Sequence, residues 1–225
     1  MLLDMAPPTA SAQAAPDKPL LRGVSHEVAA VFALGGGLSL GYAAPPGLAS
    51  LGAAVYGAAL TALFTISALY HRPRWSVSWR MVMRRLDHAA IFLLIAGTYT
   101  PFCLLPAVRG GSLLLALVWS GALAGIVLSV AWPKAPKWLL AVVCIALGWV
   151  VVPVLPALEL AIGWQGLTLL VVGGVLYTAG AIVYARRRPD PFPSVFGYHE
   201  IFHALVIAAA VCHFAAVAGV VHEIR

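Results

Sequence analysis

The chain has 225 residues, of which 62% are hydrophobic and only 10% are charged, whereas ordinary soluble domains carry about 25% charged residues. This composition excludes a water-soluble globular protein and indicates a membrane protein. The formal charge of +6 does not indicate a nucleic-acid partner, because the Lys and Arg residues lie in short clusters between long apolar runs.

Seven apolar segments are predicted to cross the membrane. A helix needs about 20 mostly apolar residues to span a hydrocarbon core of roughly 30 Å, and each candidate ends at a turn or helix-breaking signal such as Pro45-Pro46-Gly47. The segments lie at 27–44, 48–70, 85–106, 112–132, 137–155, 165–185 and 197–221. Residues 1–22 lack this pattern and are predicted to form a flexible tail. The sequence thus predicts an all-α bundle of seven transmembrane helices over residues 23–225.

The basic residues predict the orientation of this bundle, because Lys and Arg are retained in cytoplasmic loops. With a cytoplasmic N-terminus, twelve of the 14 basic residues are cytoplasmic and only Arg109 and Arg225 lie outside. The twelve are Lys18, Arg22, Arg72, Arg74, Arg80, Arg84, Arg85, Lys134, Lys137, Arg186, Arg187 and Arg188. We therefore expect a cytoplasmic N-terminus and an external C-terminus.

Small residues recur at helix-packing spacing, at Gly37 with Gly41 and at Gly121 with Gly125. Such pairs let two helix backbones approach closely. The close approach can occur within the bundle or between copies, so a homo-oligomer is possible.

Ionisable side chains inside the spans are the first candidates for function, because charge is costly in a bilayer and such groups face the bundle interior. His71 lies at the cytoplasmic end of the second span, and Asp87 lies just inside the cytoplasmic start of the third. His199 and His203 lie in the first turns of the seventh span, at the same end. Four groups from three helices are therefore predicted at one depth.

The spacing of these residues favours a metal site. His199 and His203 are four positions apart, so they share one helix face about 6 Å apart along the axis. Ser67 stands in the same relation to His71, one turn deeper, where it suits a contact to a metal ligand or a substrate. Three neutral imidazoles with an open fourth position are the ligand set of a catalytic zinc site, and Asp87 could hold the bound water.

Simpler explanations stay open at this point. An intramembrane histidine commonly hydrogen-bonds between helices without a metal, and Asp87 could pair with Arg84 or Arg85. His213 follows His203 by ten residues, about 15 Å deeper, and is interpreted as structural. His26, His88 and His222 receive no role.

Three motifs in order resemble a known family. They are Ser67-Ala-Leu-Tyr-His71, then Arg85-Leu-Asp87-His88, then His199-Glu-Ile-Phe-His203 with His213-Phe ten residues later. The chain resembles the hemolysin III family, the bacterial branch of the progestin and adipoQ receptor superfamily, which includes the adiponectin receptors. The resemblance runs from about the first span to the last helix.

The resemblance implies a multi-pass protein of the bacterial inner membrane with seven helices and a cytoplasmic N-terminus. It implies zinc held by His71, His199 and His203, with Asp87 touching the metal through water. It also implies a hydrolase, because adiponectin receptors and the related alkaline ceramidases are linked to cleavage of ceramide amides. Some bacterial members are tied to control of membrane lipid fluidity.

One residue departs from the pattern of the adiponectin receptors. Glu200 follows the first histidine of the last motif, where those receptors have Gln, and this creates an HExxH string. In zinc proteases two histidines of this string bind the metal and the Glu is the general base. An intramembrane metalloprotease is therefore a rival hypothesis, although it leaves Ser67, His71 and Asp87 without a role.

The leading hypothesis is metal-assisted hydrolysis of a lipid amide or ester, with a ceramide-like or fatty-acyl substrate entering from the inner leaflet. Asp87 is expected to orient or deprotonate the attacking water, and Ser67 to donate a hydrogen bond to the developing oxyanion. Two other hypotheses are a non-enzymatic sensor or receptor stapled by structural zinc and, from the family name alone, a cytolysin.

Overall fold

The computed structural model describes residues 18–224, which form α-helices joined by short connections. The helices are α1 (Val24–Ala43), α2 (Leu48–His71), α3 (Val77–Cys103), α4 (Gly111–Ala131), α5 (Lys137–Gly148), α6 (Leu155–Arg186) and α7 (Tyr198–Val220). Short 3-10 turns at Val152–Val154 and Val221–Glu223 precede α6 and follow α7. The described residues contain no β-strand, so the predicted all-α class is confirmed there. The first 17 residues of the predicted tail lie outside the described part.

The outer surface of the bundle is apolar. Phe32, Leu38, Leu113 and Leu160 are between 67% and 89% exposed, and water-soluble proteins rarely expose large contiguous apolar patches. Within residues 18–224, six helical stretches are long and apolar enough to cross a membrane, with Lys137–Arg186 counted as one of them. The chain is therefore a multi-pass membrane protein.

Helices α1, α2, α4 and α7 begin and end within three residues of their predicted bounds. Helix α3 instead begins at Val77, eight residues before the predicted start at 85. Ser76 caps this early start by accepting a hydrogen bond from the Trp79 N–H group (3.5 Å), which satisfies a donor in the first turn. The basic segment before Asp87 is therefore helical.

Helix α5 ends at Gly148, before the predicted end at 155. The Tyr99 hydroxyl donates to the Gly148 carbonyl oxygen (2.7 Å) and accepts from the Val151 N–H group (3.1 Å). These bonds satisfy backbone groups that a helix end leaves without partners. A tyrosine from α3 thus ends α5 within the bundle.

Helix α6 begins at Leu155, ten residues before the predicted start at 165. Pro156 lies in its first turn, where the missing N–H group costs no hydrogen bond. Gly163 interrupts the helix with a φ of 70°, a conformation that favours glycine. The predicted break over 156–163 is thereby narrowed to a single residue.

Helices that follow each other in sequence pack side by side, and α1 also contacts α7. Helix α3 contacts α2, α4, α5 and α7, so it lies in the middle of the bundle. Helices α1 and α2 approach closely where a Cβ atom on Gly37 would lie 3.0 Å from the Cα atom of Gly57. The small residue at Gly37 therefore serves packing within the chain.

Candidate metal centre

The last turn of α2, the third turn of α3 and the first turns of α7 meet at one end of the bundle, here called the histidine end. His71 is the last residue of α2, and α7 begins at Tyr198, so His199 and His203 occupy its first two turns. Asp87 lies on α3, which packs against both α2 and α7. This packing brings the predicted residues to one depth.

The three histidines converge on a common point. One nitrogen from each of His71, His199 and His203 lies within 4.8 Å of the other two. The Nε2 atoms of His71 and His199 are 3.1 Å apart. All three side chains are buried, at 6%, 7% and 1% exposure respectively.

This donor set fits a zinc ion. Two nitrogens bound to one tetrahedral zinc, each at roughly 2.0–2.1 Å from the metal, stand about 3.3 Å apart, close to the 3.1 Å between His71 and His199. Burying polar nitrogens costs free energy unless each has a partner, and one bound cation would be a partner for all three imidazoles. His71, His199 and His203 are the residues that would hold the ion.

The Asp87 carboxylate faces this cluster. Its Oδ2 atom lies 4.0 Å from His71 Nε2, which is longer than a hydrogen bond and can accommodate a bridging water. Among the described residues, neither Arg84 nor Arg85 forms an ion pair with Asp87. Ser67 is buried one turn before His71 and lines the same cavity as Asp87.

A fourth buried imidazole, His26 in the first turn of α1, was not predicted to be part of the site. Its ring stacks on His203 with ring centroids 3.7 Å apart and planes 9° apart, and it packs edge-on against Phe64. Stacking restrains the plane of the His203 ring. The depth argument could have found His26, because α1 begins at the end of the bundle where α2 ends.

Both carboxylate oxygens of Glu200 have partners. Oε1 forms an ion pair with Arg22 Nε, and Oε2 accepts a hydrogen bond from the Gly197 N–H group (2.8 Å). The side chain is 3% exposed. These contacts tie the start of α7 to the segment before α1, and they disfavour the protease hypothesis, in which this Glu must be free to act as general base.

Residues 18–23 lie against the histidine end of the bundle. The Leu20 N–H group donates to the Ser194 carbonyl oxygen (3.0 Å), which holds this segment to the α6–α7 connection. Gly23 has a φ of 81°, and a Cβ atom there would lie 2.6 Å from His71 Cβ. Glycine is therefore required where the chain passes over the last residue of α2.

A mostly apolar cavity of about 160 Å³ lies beside the histidines. It extends from Ser67, Asp87 and His203 to His213, and its walls come from α1, α2, α3, α5, α6 and α7. His213 lies outside the three-histidine cluster, and its Nε2 atom is 3.1 Å from the Leu170 carbonyl oxygen. The cluster therefore borders a space lined by apolar side chains.

Known proteins resemble this chain over most of its length. The sequence model of the family described as haemolysin-III related matches residues 15–214. The chain is 34% identical over 162 residues to the hemolysin-3 homolog of Bacillus subtilis (strain 168), covering 71% of this chain and 72% of that protein. It is 33% identical over 165 residues to hemolysin-3 of Bacillus cereus, covering 71% and 70% of the two chains.

A more distant relative comes from an animal. The adiponectin receptor protein of Drosophila melanogaster is 33% identical over 162 residues, covering 62% of this chain and 35% of that receptor. The family match extends over most of the chain and includes all three motifs that frame the histidine cluster. The protein is thus a member of the haemolysin III family, within the progestin and adipoQ receptor superfamily.

Proposed function

We propose that the protein is a zinc-dependent hydrolase of lipid amide or ester bonds that serves membrane lipid homeostasis. The observation that supports this most strongly is that a three-histidine cluster borders an apolar cavity inside the membrane domain. Structural zinc sites are normally closed by four protein ligands, whereas three ligands and an open position are typical of catalytic sites.

Zinc held by His71, His199 and His203 would supply a Lewis acid that polarises a carbonyl group and lowers the pKa of water. Asp87 orients a water molecule for attack on the carbonyl carbon of the substrate and accepts its proton. The Ser67 hydroxyl donates a hydrogen bond to the oxygen that gains negative charge. The C–N or C–O bond then breaks, and the departing amine or alcohol takes up the proton that Asp87 holds.

The test is release of fatty acid by the purified protein in detergent. Labelled ceramides and phospholipids are incubated with the protein before and after chelation, and zinc is then added back. We expect release that chelation removes and zinc restores. Absence of release across a broad panel of lipid amides and esters, from protein that retains one zinc, would refute the proposal.

A second candidate is a non-enzymatic sensor in which zinc joins α2, α3 and α7. It is favoured by the position of Asp87, whose carboxylate lies 4.0 Å from His71 and could close the site as a fourth ligand with a small movement. The two candidates differ in the effect of His203→Ala. A sensor loses only thermal stability, whereas a hydrolase loses turnover at temperatures where the variant remains folded.

The proposed topology is seven crossings in the bacterial inner membrane, with the N-terminus in the cytoplasm and the C-terminus outside. The distribution of the 14 basic residues supports the orientation. Support for two crossings within Lys137–Arg186 comes from its contacts, because Lys137 at its start lies 4.3 Å from the ring of Tyr184 near its end. Further along, the Trp149 indole donates to the Thr178 hydroxyl (2.9 Å), as expected for two antiparallel arms.

A further inference from the structure

Lys137, the first residue of α5, carries its positive charge between two aromatic rings. Its Nζ atom lies 4.3 Å from the centroid of the Tyr184 ring and 4.9 Å from that of Tyr198. It also donates a hydrogen bond to the Tyr198 hydroxyl (3.0 Å). An ammonium group has three N–H donors, so this arrangement fixes the position of the cation and leaves donors free for a further partner.

The position of Lys137 relates it to both the cavity and the histidines. The Tyr184 ring lies 5.9 Å from the His199 ring, so one aromatic ring separates the ammonium group from a metal ligand. Tyr184 also lines the 160 Å³ cavity, as do Leu140 and Ala141, one turn after Lys137 on α5. Lys137 therefore stands where the apolar cavity ends and the polar histidine end of the bundle begins.

No carboxylate in the described residues forms an ion pair with Lys137. Three acidic residues of the histidine end face other groups: Glu27 pairs with Arg72, Glu200 pairs with Arg22, and Asp87 lies 4.0 Å from His71. Asp190 accepts a hydrogen bond from the Tyr198 N–H group (2.9 Å). A partly buried cation without a counter-charge attracts an anion.

We propose that Lys137, held by Tyr184 and Tyr198, binds the phosphate group of an anionic lipid whose acyl chain occupies the adjoining cavity. The proposal rests on the proposed lipid hydrolase for the identity of this lipid as a substrate, but the binding itself needs no turnover. A phosphate offers several acceptor oxygens to the free N–H donors of the ammonium group, whereas an uncharged ceramide or diacylglycerol brings no negative charge to this position.

The test measures lipid binding in the full chain carrying His203→Ala, so that substrate is not consumed. Apparent dissociation constants are measured by native mass spectrometry for dioleoyl phosphatidic acid and for dioleoylglycerol, which has the same chains and no phosphate. Inorganic phosphate is added as a competitor to distinguish a lipid headgroup from a free anion. The variants are Lys137→Met, Lys137→Arg, and Lys134→Met as a control that removes an exposed charge three residues away.

We expect phosphatidic acid to bind about tenfold more weakly to Lys137→Met, the loss that corresponds to one charge-assisted hydrogen bond. Lys137→Arg, Lys134→Met and all diacylglycerol measurements should change little. Equal weakening in Lys134→Met, unchanged binding in Lys137→Met, or complete displacement by millimolar inorganic phosphate would each overturn the proposal. Thermal midpoints without lipid identify a variant that is misfolded, in which case Lys137→Gln replaces it.

This outcome is separate from that of the hydrolase proposal. Selective, Lys137-dependent binding of phosphatidic acid without any turnover in the wild-type protein would leave the phosphate site standing and refute the hydrolase. Zinc-dependent turnover with no preference for anionic lipids would support the hydrolase and refute the phosphate site.

Discussion

His203 and His213 lie on the same helix, yet their surroundings give them different chemistry. His203 is 1% exposed and meets His71, His199 and the stacked ring of His26. His213, ten residues further along α7, contacts Tyr177 and a backbone carbonyl oxygen instead. The candidate metal ligand is therefore the histidine on which other imidazoles converge, and it is also the more deeply buried of the two.

This difference predicts metal content. His203→Ala removes one of three nitrogen ligands and should lower zinc affinity by more than about 100-fold, because even outer-shell partners of a metal site are worth 10–100-fold. His213→Leu should keep its zinc. The zinc content of both purified variants and of the wild type is measured by elemental analysis. Loss of zinc from both variants, or from neither, would contradict the assignment of His203 as a ligand and His213 as a structural residue.

Glu200 and Asp87 are expected to have different roles, the first in stability and the second in catalysis. Glu200→Gln keeps an oxygen for the Gly197 N–H group but loses the ion pair with Arg22, so stability should fall by about 1–3 kcal/mol while hydrolysis persists. Asp87→Asn removes the proposed base and should reduce hydrolysis by about 10²–10⁴-fold. Thermal midpoints and fatty-acid release are measured on both. The opposite ranking of activities would identify Glu200, and not Asp87, as the general base.

The sequence indicated His71, His199, His203 and Asp87 because helical spacing and loop charge together determine depth. The same depth argument places His26 at this end of the bundle but does not indicate its contact with His203, and it does not indicate Lys137, because both contacts depend on the packing of distant segments. His26 meets His203 through the contact of α1 with α7, and Lys137 meets Tyr184 and Tyr198 across α6 and α7. Contacts of this kind carry no local periodicity from which they could be read.

At the scale of helices, the packing of α1 against α2 depends on one glycine. Gly37→Leu would force a side chain into the backbone of Gly57 and should destabilise the protein by about 1–3 kcal/mol. Gly41→Leu is the matched control on the same helix, because a Cβ atom there meets nothing within 4 Å. Thermal midpoints of the two variants in one detergent test this. Equal midpoints would show that the crossing is not close in the folded protein.

The bounds of α5 and α6 show where a hydropathy window is insufficient. The apolar run over 137–155 predicts one uninterrupted span, but the structure ends α5 at Gly148, where Tyr99 of α3 takes the free carbonyl group. Pro156 and Gly163 both predict a break, yet Pro156 is accepted in the first turn of α6. Tertiary hydrogen bonding decides the first case, and the position of proline within a helix decides the second.

For the whole molecule, the path of Lys137–Arg186 determines on which side of the membrane everything after it lies. Helix α5 has 12 residues and is about 18 Å long, too short to cross a hydrocarbon core of roughly 30 Å alone. Residues 149–162 can cover the remaining distance. The chain would then turn at Gly163 and return beside the first arm, where Trp149 and Lys137 make their contacts. Two crossings place Glu159 and Ser194 on opposite sides of the membrane.

Single cysteines test this path. Cys103, Cys144 and Cys212 are first replaced by alanine, and either Glu159→Cys or Ser194→Cys is then introduced at a position that is exposed in the structure. With seven crossings and a cytoplasmic N-terminus, a membrane-impermeant maleimide should label Glu159→Cys in intact spheroplasts and Ser194→Cys only after permeabilisation. If Lys137–Arg186 crossed once, Glu159→Cys would lie in the hydrocarbon core and react in neither condition. Labelling of Ser194→Cys in intact spheroplasts, with Glu159→Cys labelled only after permeabilisation, would instead reverse the orientation and place the histidine end, with Lys137, at the outer leaflet.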